Sequence, residues 1–322
     1  MISTRLGHLA LLLGLSAAAL SAPAQAQVAA GDKRLALVIG NSAYQHVTRL
    51  TNPVNDATDI AAKLKSLKFE VLAATDATQA RMTSLLQEFK SKVTREHVAL
   101  VFYAGHGVAV NKESFLLPVD APDVIEVDDK GEAKADSINR QMISMASVLA
   151  PLADSKIGIV FLDACRNNAA DTGLGMDVRM VSLGKSRSLP VVRGTGSLQI
   201  TPSAHSAGVF RAYATQIDNV ASDGAGRNSP FTKALLKHIG DENIMIQELM
   251  IRVRKSVMED TKGEQIPWEE AALNEPFYFL RTSALSGGGA KNVGGGGGAA
   301  ARQTSRKSNL PPNIGTGVGT GF

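Results

Sequence analysis

The sequence is poor in the residues that several function classes require. It holds one cysteine, Cys165, among 322 residues. A single thiol can neither close an intrachain disulfide nor supply a Cys-rich zinc module, so both are excluded. No pair of histidines stands at metal-ligand spacing, and no repeat period is apparent. Phosphate-cradling glycine loops are missing too. The first strand-like run ends in Gly40-Asn41-Ser42 without GxGxxG or a P-loop, and Gly194-Thr195-Gly196 follows no strand-like segment. Aromatic residues make up 5% of the chain.

Net charge is also small in the centre of the chain once it is sorted by region. The net +4 comes with a pI near 9.1. Arg5 supplies one of these charges, and Lys291, Arg302, Arg306 and Lys307 supply four, which leaves residues 27–281 at −1. A near-neutral centre lacks the clustered Lys and Arg that phosphate neutralisation needs, so no nucleic-acid partner is expected.

What remains is a globular composition, 44% apolar and 20% charged, sufficient for one large domain or two small ones. The two ends differ from the centre. Arg5, the apolar run 9–22 and Ala24-Gln25-Ala26 read as a secretory signal over residues 1–26, cleaved near Ala26, so the protein is expected to be exported to a periplasm or the exterior. The apolar run is too short for a membrane span. Residues 27–33 form a short N-terminal segment. Residues 282–322 contain 12 of the 30 glycines and read as a flexible basic tail.

Between the ends, strand and helix patterns alternate. Residues 34–40 (RLALVIG) are strand-like, Asn55 stands as a helix N-cap, and Ala57, Ile60, Ala61, Leu64 and Leu67 follow at helical spacing. A strand at 69–75, a helix marked by Met82, Leu85, Leu86, Phe89 and Val93, and a strand at 97–104 come next. After a polar loop, the pattern predicts a helix at 143–152 and a strand at 156–163. A long loop to about residue 206 then leads to a strand at 209–214, helices at 230–239 and 246–258, and a last strand at 276–280. This rhythm predicts an α/β fold with a mainly parallel sheet and helices on both faces, forming one domain over residues 34–281.

In such sheets, sites lie beyond the carboxyl ends of the strands. Two strands end suggestively, in Tyr103-Ala104-Gly105-His106-Gly107 and in Asp163-Ala164-Cys165. If the strands are neighbours, His106 and Cys165 stand side by side as a thiol nucleophile and its acid/base partner. The Gly107 amide is then placed to face a carbonyl oxygen. Taken singly, Cys165 reads as a small buried hydrophobe and His106 as loop polarity. Papain-like folds place Cys before His, the reverse of the order here.

The chain resembles the caspase-like cysteine peptidases, the group of caspases, metacaspases and paracaspases, over roughly residues 34–281. The resemblance rests on LALVIGN (35–41), NPVNDA (52–57), VFYAGHG (101–107), LLPVDAP (116–122) and FLDACRNN (161–168), with YATQIDNVASDG (213–224) matching a later substrate loop. It implies that Cys165 is the nucleophile, His106 the general acid/base, and the amides of Gly107 and Cys165 the oxyanion hole. Animal caspases carry Gln two positions before the nucleophile; here that residue is Asp163. By resemblance to metacaspases and paracaspases, Asp56 and Asp223 join Asp163 in an acidic pocket for a substrate Arg or Lys. Read alone, Asp56 is first-turn helix charge and Asp223 loop polarity.

Loop 166–193 carries Arg179, Lys185 and Arg187, so cleavage of the chain by itself would fall there. The acidic stretch 120–132 is similar to the Ca²⁺-responsive segments of some metacaspases, but reads first as a solvated loop. The sequence requires no cofactor and no metal. The expected partners are peptides or proteins with a basic residue before the scissile bond. The same fold also occurs as a catalytically silent interaction scaffold, and this alternative stays open from sequence.

Overall fold

The computed structural model describes residues 32–110, 113–122, 135–164, 208–216 and 221–282. Cys165, the loop 166–207, the expected signal and most of the acidic stretch and tail lie outside them. In chain order the elements are β1 (Lys33–Gly40), α1 (Pro53–Ser66), β2 (Glu70–Thr75), α2 (Gln79–Lys92), β3 (His97–Ala104), β4 (Gly107–Val110) and β5 (Glu113–Leu116). They continue with α3 (Ala135–Gln141), β6 (Ile143–Ser144), α4 (Met145–Ala153), β7 (Ile157–Asp163), β8 (Val209–Tyr213), α5 (Pro230–His238), α6 (Ile246–Asp260) and β9 (Trp268–Ala271).

Strand β1 is buried from Arg34 to Gly40, and its alternate side chains enter two different cores, as the period of a strand requires. Ala36 and Val38 meet Ile60 and Leu64 of α1, Phe231 and Leu235 of α5, and Leu249 and Val253 of α6. Leu35, Leu37 and Ile39 meet Met82, Leu85 and Phe89 of α2 and Val148 and Leu152 of α4. Each of the Val, Leu, Ile, Phe and Met side chains contributes roughly 1.5–3 kcal/mol by leaving water. The resulting sheet has six strands in the order β2-β1-β3-β7-β8-β9. All neighbours run parallel except the last pair, in which β9 is antiparallel to β8. The mainly parallel α/β sheet with helices on both faces is therefore present.

Three expectations need correction. Helix α1 begins at Pro53 with Asn52 as its N-cap, so Asn55 sits inside the first turn; the fixed φ of proline at N1 starts the helix earlier than Asn55 suggests. The expected polar loop after β3 holds strands β4 and β5, which join β6 in a separate three-stranded antiparallel sheet. Four-residue strands are too short to display a period. The last strand is β9, and residues 276–280 contribute only an isolated bridge between Leu280 and Glu242. The alternation at 276–280 has another cause, because Phe277 and Phe279 enter the core while buried Arg34 donates to the Phe279 and Tyr278 carbonyls at 2.7 and 3.2 Å. Arg34 also lies over the Phe69 and Phe277 rings, and burial lowers its pKa.

Close approach at one glycine sets up the site. A Cβ on Gly40 would stand 2.1 Å from the Pro53 carbonyl oxygen and 2.6 Å from Ala57 Cβ, so only glycine lets the N-terminal turn of α1 press on the end of β1.

Candidate active site

The parallel register of β3 and β7 places Ala104 opposite Asp163, and the Gly105 amide donates to the Asp163 carbonyl at 3.2 Å. Both chains thus leave the sheet at one level, and His106 and Cys165 each follow two residues later. Cys165 itself lies outside the described residues, so the structure describes only the histidine side of this pair. Gly107 opens β4 opposite Leu116.

His106 is fully buried and held at several points. Its backbone N–H donates to Tyr44 Oη at 2.7 Å, and its carbonyl accepts from Tyr103 Oη at 2.7 Å and from the Leu117 amide at 3.0 Å. The Tyr44 ring lies 4.6 Å from the imidazole, tilted by 50°. The imidazole Nε2 is 2.8 Å from the Thr48 carbonyl oxygen. A carbonyl only accepts, so Nε2 carries the hydrogen and Nδ1 is the basic nitrogen.

Thr48 is held because its loop is anchored at both ends. The Ser42 and Ala43 amides both donate to Asp76 Oδ1 at 2.8 Å, and the Leu50 amide donates to the Ser42 carbonyl at 3.0 Å. Asn41 fixes the neighbouring chain, donating to the Leu117 carbonyl and accepting from the Ala77 amide, each at 2.9 Å.

The three sequence-predicted acids sit on separate elements tied to one another. Asp163 ends β7, Asp56 lies in the first turn of α1, and both are fully buried. Ser229 joins them, since its amide donates to Asp56 Oδ1 at 3.0 Å and its hydroxyl donates to Asp163 Oδ2 in a short bond. Thr232 Oγ1 donates to the same Asp163 oxygen at 2.8 Å. Asp223 reaches α1 from the other side, accepting from the amides of Thr51 at 2.7 Å and Asn52 at 3.3 Å. Opposed negative ends of this kind are tolerated where N–H and O–H donors converge on them.

One ion pair pins the Asp223 loop to α1. Arg227 Nε and Nη2 each donate to the Asp59 carboxylate at 2.9 Å, and Asn228 Nδ2 adds a third bond at 3.0 Å. The Arg227 hydrogen bonds hold the Asp59 carboxyl below its ordinary pKa, and the same contact raises that of Arg227.

Sequence reasoning missed Tyr44, Thr48, Ser229 and Thr232. Ser229-Pro230 is a legible signal, being a Ser N-cap followed by Pro at the first helical position; its side chain accepts from the Thr232 amide. Thr48 carried none, because it contributes a backbone carbonyl. Among the described residues no group of three His, Cys, Asp or Glu side chains is arranged to hold a metal ion, and no helix is long and apolar enough to cross a membrane.

Comparison with known proteins accords with this geometry. Residues 33–278 match the family model described as the caspase domain. The chain is 27% identical over 191 residues to human mucosa-associated lymphoid tissue lymphoma translocation protein 1, covering 58% of this chain and 22% of that protein. The mouse homolog matches at 27% over the same length, 21% of its own chain. Rat caspase-1 is 25% identical over 252 residues, 76% of this chain and 59% of that one. The chain thus spans about a fifth of the length of the first two relatives. With the family model covering most of the sequence and the expected parallel sheet in place, the chain belongs to the caspase-domain family, a family of cysteine-protease type.

Proposed function

We propose that the protein is a cysteine endopeptidase in which Cys165 and His106 form the catalytic pair and Asp56, Asp163 and Asp223 select Arg or Lys before the scissile bond. The observation that carries the reading is the pairing of Ala104 with Asp163, which brings the two motif ends to one edge of the sheet with His106 locked in a defined tautomer. Nδ1 takes the thiol proton, and the thiolate attacks the scissile carbonyl carbon. The resulting oxyanion is held by the Gly107 and Cys165 amides. Collapse breaks the C–N bond as imidazolium gives its proton to the leaving amine. Water, deprotonated by the imidazole, then hydrolyses the thioester and regenerates the thiol.

In that cycle the Thr48 carbonyl accepts from Nε2 throughout, which favours the cationic imidazolium between the two proton transfers. The acidic pocket attracts guanidinium or ammonium and repels a carboxylate. The basic residues Arg179, Lys185 and Arg187 are the proposed sites of self-cleavage, and the protein acts after export on peptide or protein substrates. Neither a metal nor a cofactor is part of this reading; Ca²⁺ enters it only as an activator to be tested by addition and chelation.

The test is covalent labelling with peptidyl inactivators that differ only in their terminal residue. Cys165 is expected to be labelled by the Arg-bearing reagent and spared by the Asp-bearing one, and Cys165→Ala is expected to abolish peptide hydrolysis without loss of fold. Hydrolysis that survives in Cys165→Ala would sink the nucleophile assignment.

A further inference from the structure

Asp223 reaches α1 from a loop with little to stiffen it. Between it and Arg227 stand Gly224, Ala225 and Gly226, none of which has a side chain able to hydrogen-bond. Gly224 takes a φ of +76°, and a Cβ on Gly226 would meet only the Asn228 carbonyl oxygen, at 3.9 Å. Two glycines in so short a run leave the backbone many alternatives. The course of the loop is therefore set from its ends.

At the first end the Ser222 amide donates to Oε1 of buried Gln265 at 3.0 Å. Asp223 then docks at the start of α1, its carboxylate on the Thr51 and Asn52 amides and its carbonyl on Asn52 Nδ2. At the second end the chain comes down on Asp59, about 10 Å farther along the helix axis than Asn52. Arg227 Nε donates to Oδ2 and Nη2 to Oδ1, both at 2.9 Å. This fork fixes orientation as well as distance, which a single contact does not. Asn228 Nδ2 adds its bond to Oδ2 at 3.0 Å, and Ser229 follows at once on Asp56 and Asp163. With residues 227 to 229 fixed, the glycine run is closed at both ends.

The strength of the pair suits this task. The Arg227 side chain is 61% exposed and that of Asp59 27%, and exposed pairs add little to global stability. Choosing between alternative courses of an open loop also takes little.

We infer that Arg227 and Asp59 are positioning residues of the substrate site: neither touches the substrate, and together they hold the 223–228 loop so that Asp223 keeps its place beside α1. The inference rests on the acidic-pocket reading above. It adds to the three acids a fourth, Asp59, that binds the protein's own arginine rather than the substrate's.

The full chain is assayed with fluorogenic peptides identical except for a terminal Arg, its neutral isostere citrulline, or Asp. Arg227→Ala is expected to raise KM for the Arg peptide about 5-fold with kcat close to wild type, and to move Tm by no more than about 2 °C. Turnover of the citrulline peptide, which offers Asp223 no cation, is expected to be unaffected. Asp59→Ala is expected to act alike, and the double variant to be no worse than the worse single one, because each residue acts through the other.

An unchanged KM for the Arg peptide in Arg227→Ala overturns the inference. So does an equal fall on the Arg and citrulline peptides, which marks a disturbance of the fold, and so do additive effects in the double variant. Asp59→Ala and Arg227→Ala change different elements, so either one alone tests the split between peptides if the other does not fold. Wild-type turnover of the citrulline or Asp peptide equal to that of the Arg peptide overturns the acidic pocket itself, a result read without any variant.

Discussion

The two halves of the site are built in opposite ways. Around His106 the partners are neutral: two tyrosine hydroxyls, the Thr48 carbonyl and the Leu117 amide. Around Asp56, Asp163 and Asp223 the partners are donors converging on negative charge, from Ser229, Thr232, Thr51 and Asn52. The first arrangement fixes the position of a ring and the place of its hydrogen while leaving one nitrogen basic. The second sets N–H and O–H donors against buried carboxylates, the arrangement that the proposed recognition of a cation uses. The difference teaches that tight geometry belongs to the histidine side and electrostatics to the acid side, and substitutions should separate the two.

The largest effect is expected at Gly105. Its φ of +152° and the Tyr103 and Tyr44 hydroxyls, each 2.6 Å from where a Cβ would sit, leave no room for a side chain. Gly105→Ala should destabilise the fold by about 1–3 kcal/mol and displace His106. Peptide kcat/KM is therefore expected to fall on the order of 100-fold for Arg and Lys substrates alike, since misplacement of the base is indifferent to the side chain cleaved. Activity near wild type in that variant would break the idea of a rigid histidine side.

Asp163→Asn should show the reverse pattern. An amide oxygen still accepts from Ser229 and Thr232, so thermal stability is expected to stay close to wild type. Loss of the charge should narrow the preference for an Arg peptide over an Asp peptide by about 10- to 100-fold. An unchanged preference, measured side by side with Tm, would detach Asp163 from recognition.

The smallest effect concerns acidity at the surface. Because Arg227 holds the folded pKa of Asp59 below its ordinary value, the pair contributes stability above that ordinary value near 3.8, and loses it as pH falls through the lower folded value. Arg227 is well exposed, so solvent screening keeps the contribution small. Comparing wild type with Asp59→Asn by thermal melts at neutral pH and near pH 3 should show a modest gap at neutral pH that closes in acid. A gap of constant size would mean that the ion pair does not pin the Asp223 loop.

Much of this was legible in the residues. The apolar runs at β1, β3 and β7 announced strands buried on both faces, and the spacing of Ile60 and Leu64, or of Met82, Leu85 and Phe89, announced their covering helices. Motifs at strand ends named His106, Gly107, Cys165 and Asp163 as candidates, and the family resemblance added Asp56 and Asp223. What spacing could not give was β9, whose Trp-Glu-Glu-Ala sequence is half exposed on an edge, or the short strands β4 to β6, held by pairing rather than by any period of their own.

The sequence by itself determined the alternation of strand and helix, because burial on a sheet face and on a helix face imposes different periods on the same chain. It also confined the excess positive charge to the two ends. Only the tertiary structure decided that Ser229 bridges Asp56 and Asp163, that Asp223 returns 171 and 172 residues later to the amides before α1, and that the Thr48 carbonyl sets the tautomer of His106. Those contacts depend on strand order and on backbone groups. Every residue but proline carries the same amide and carbonyl, so no residue type announces the backbone contacts among them.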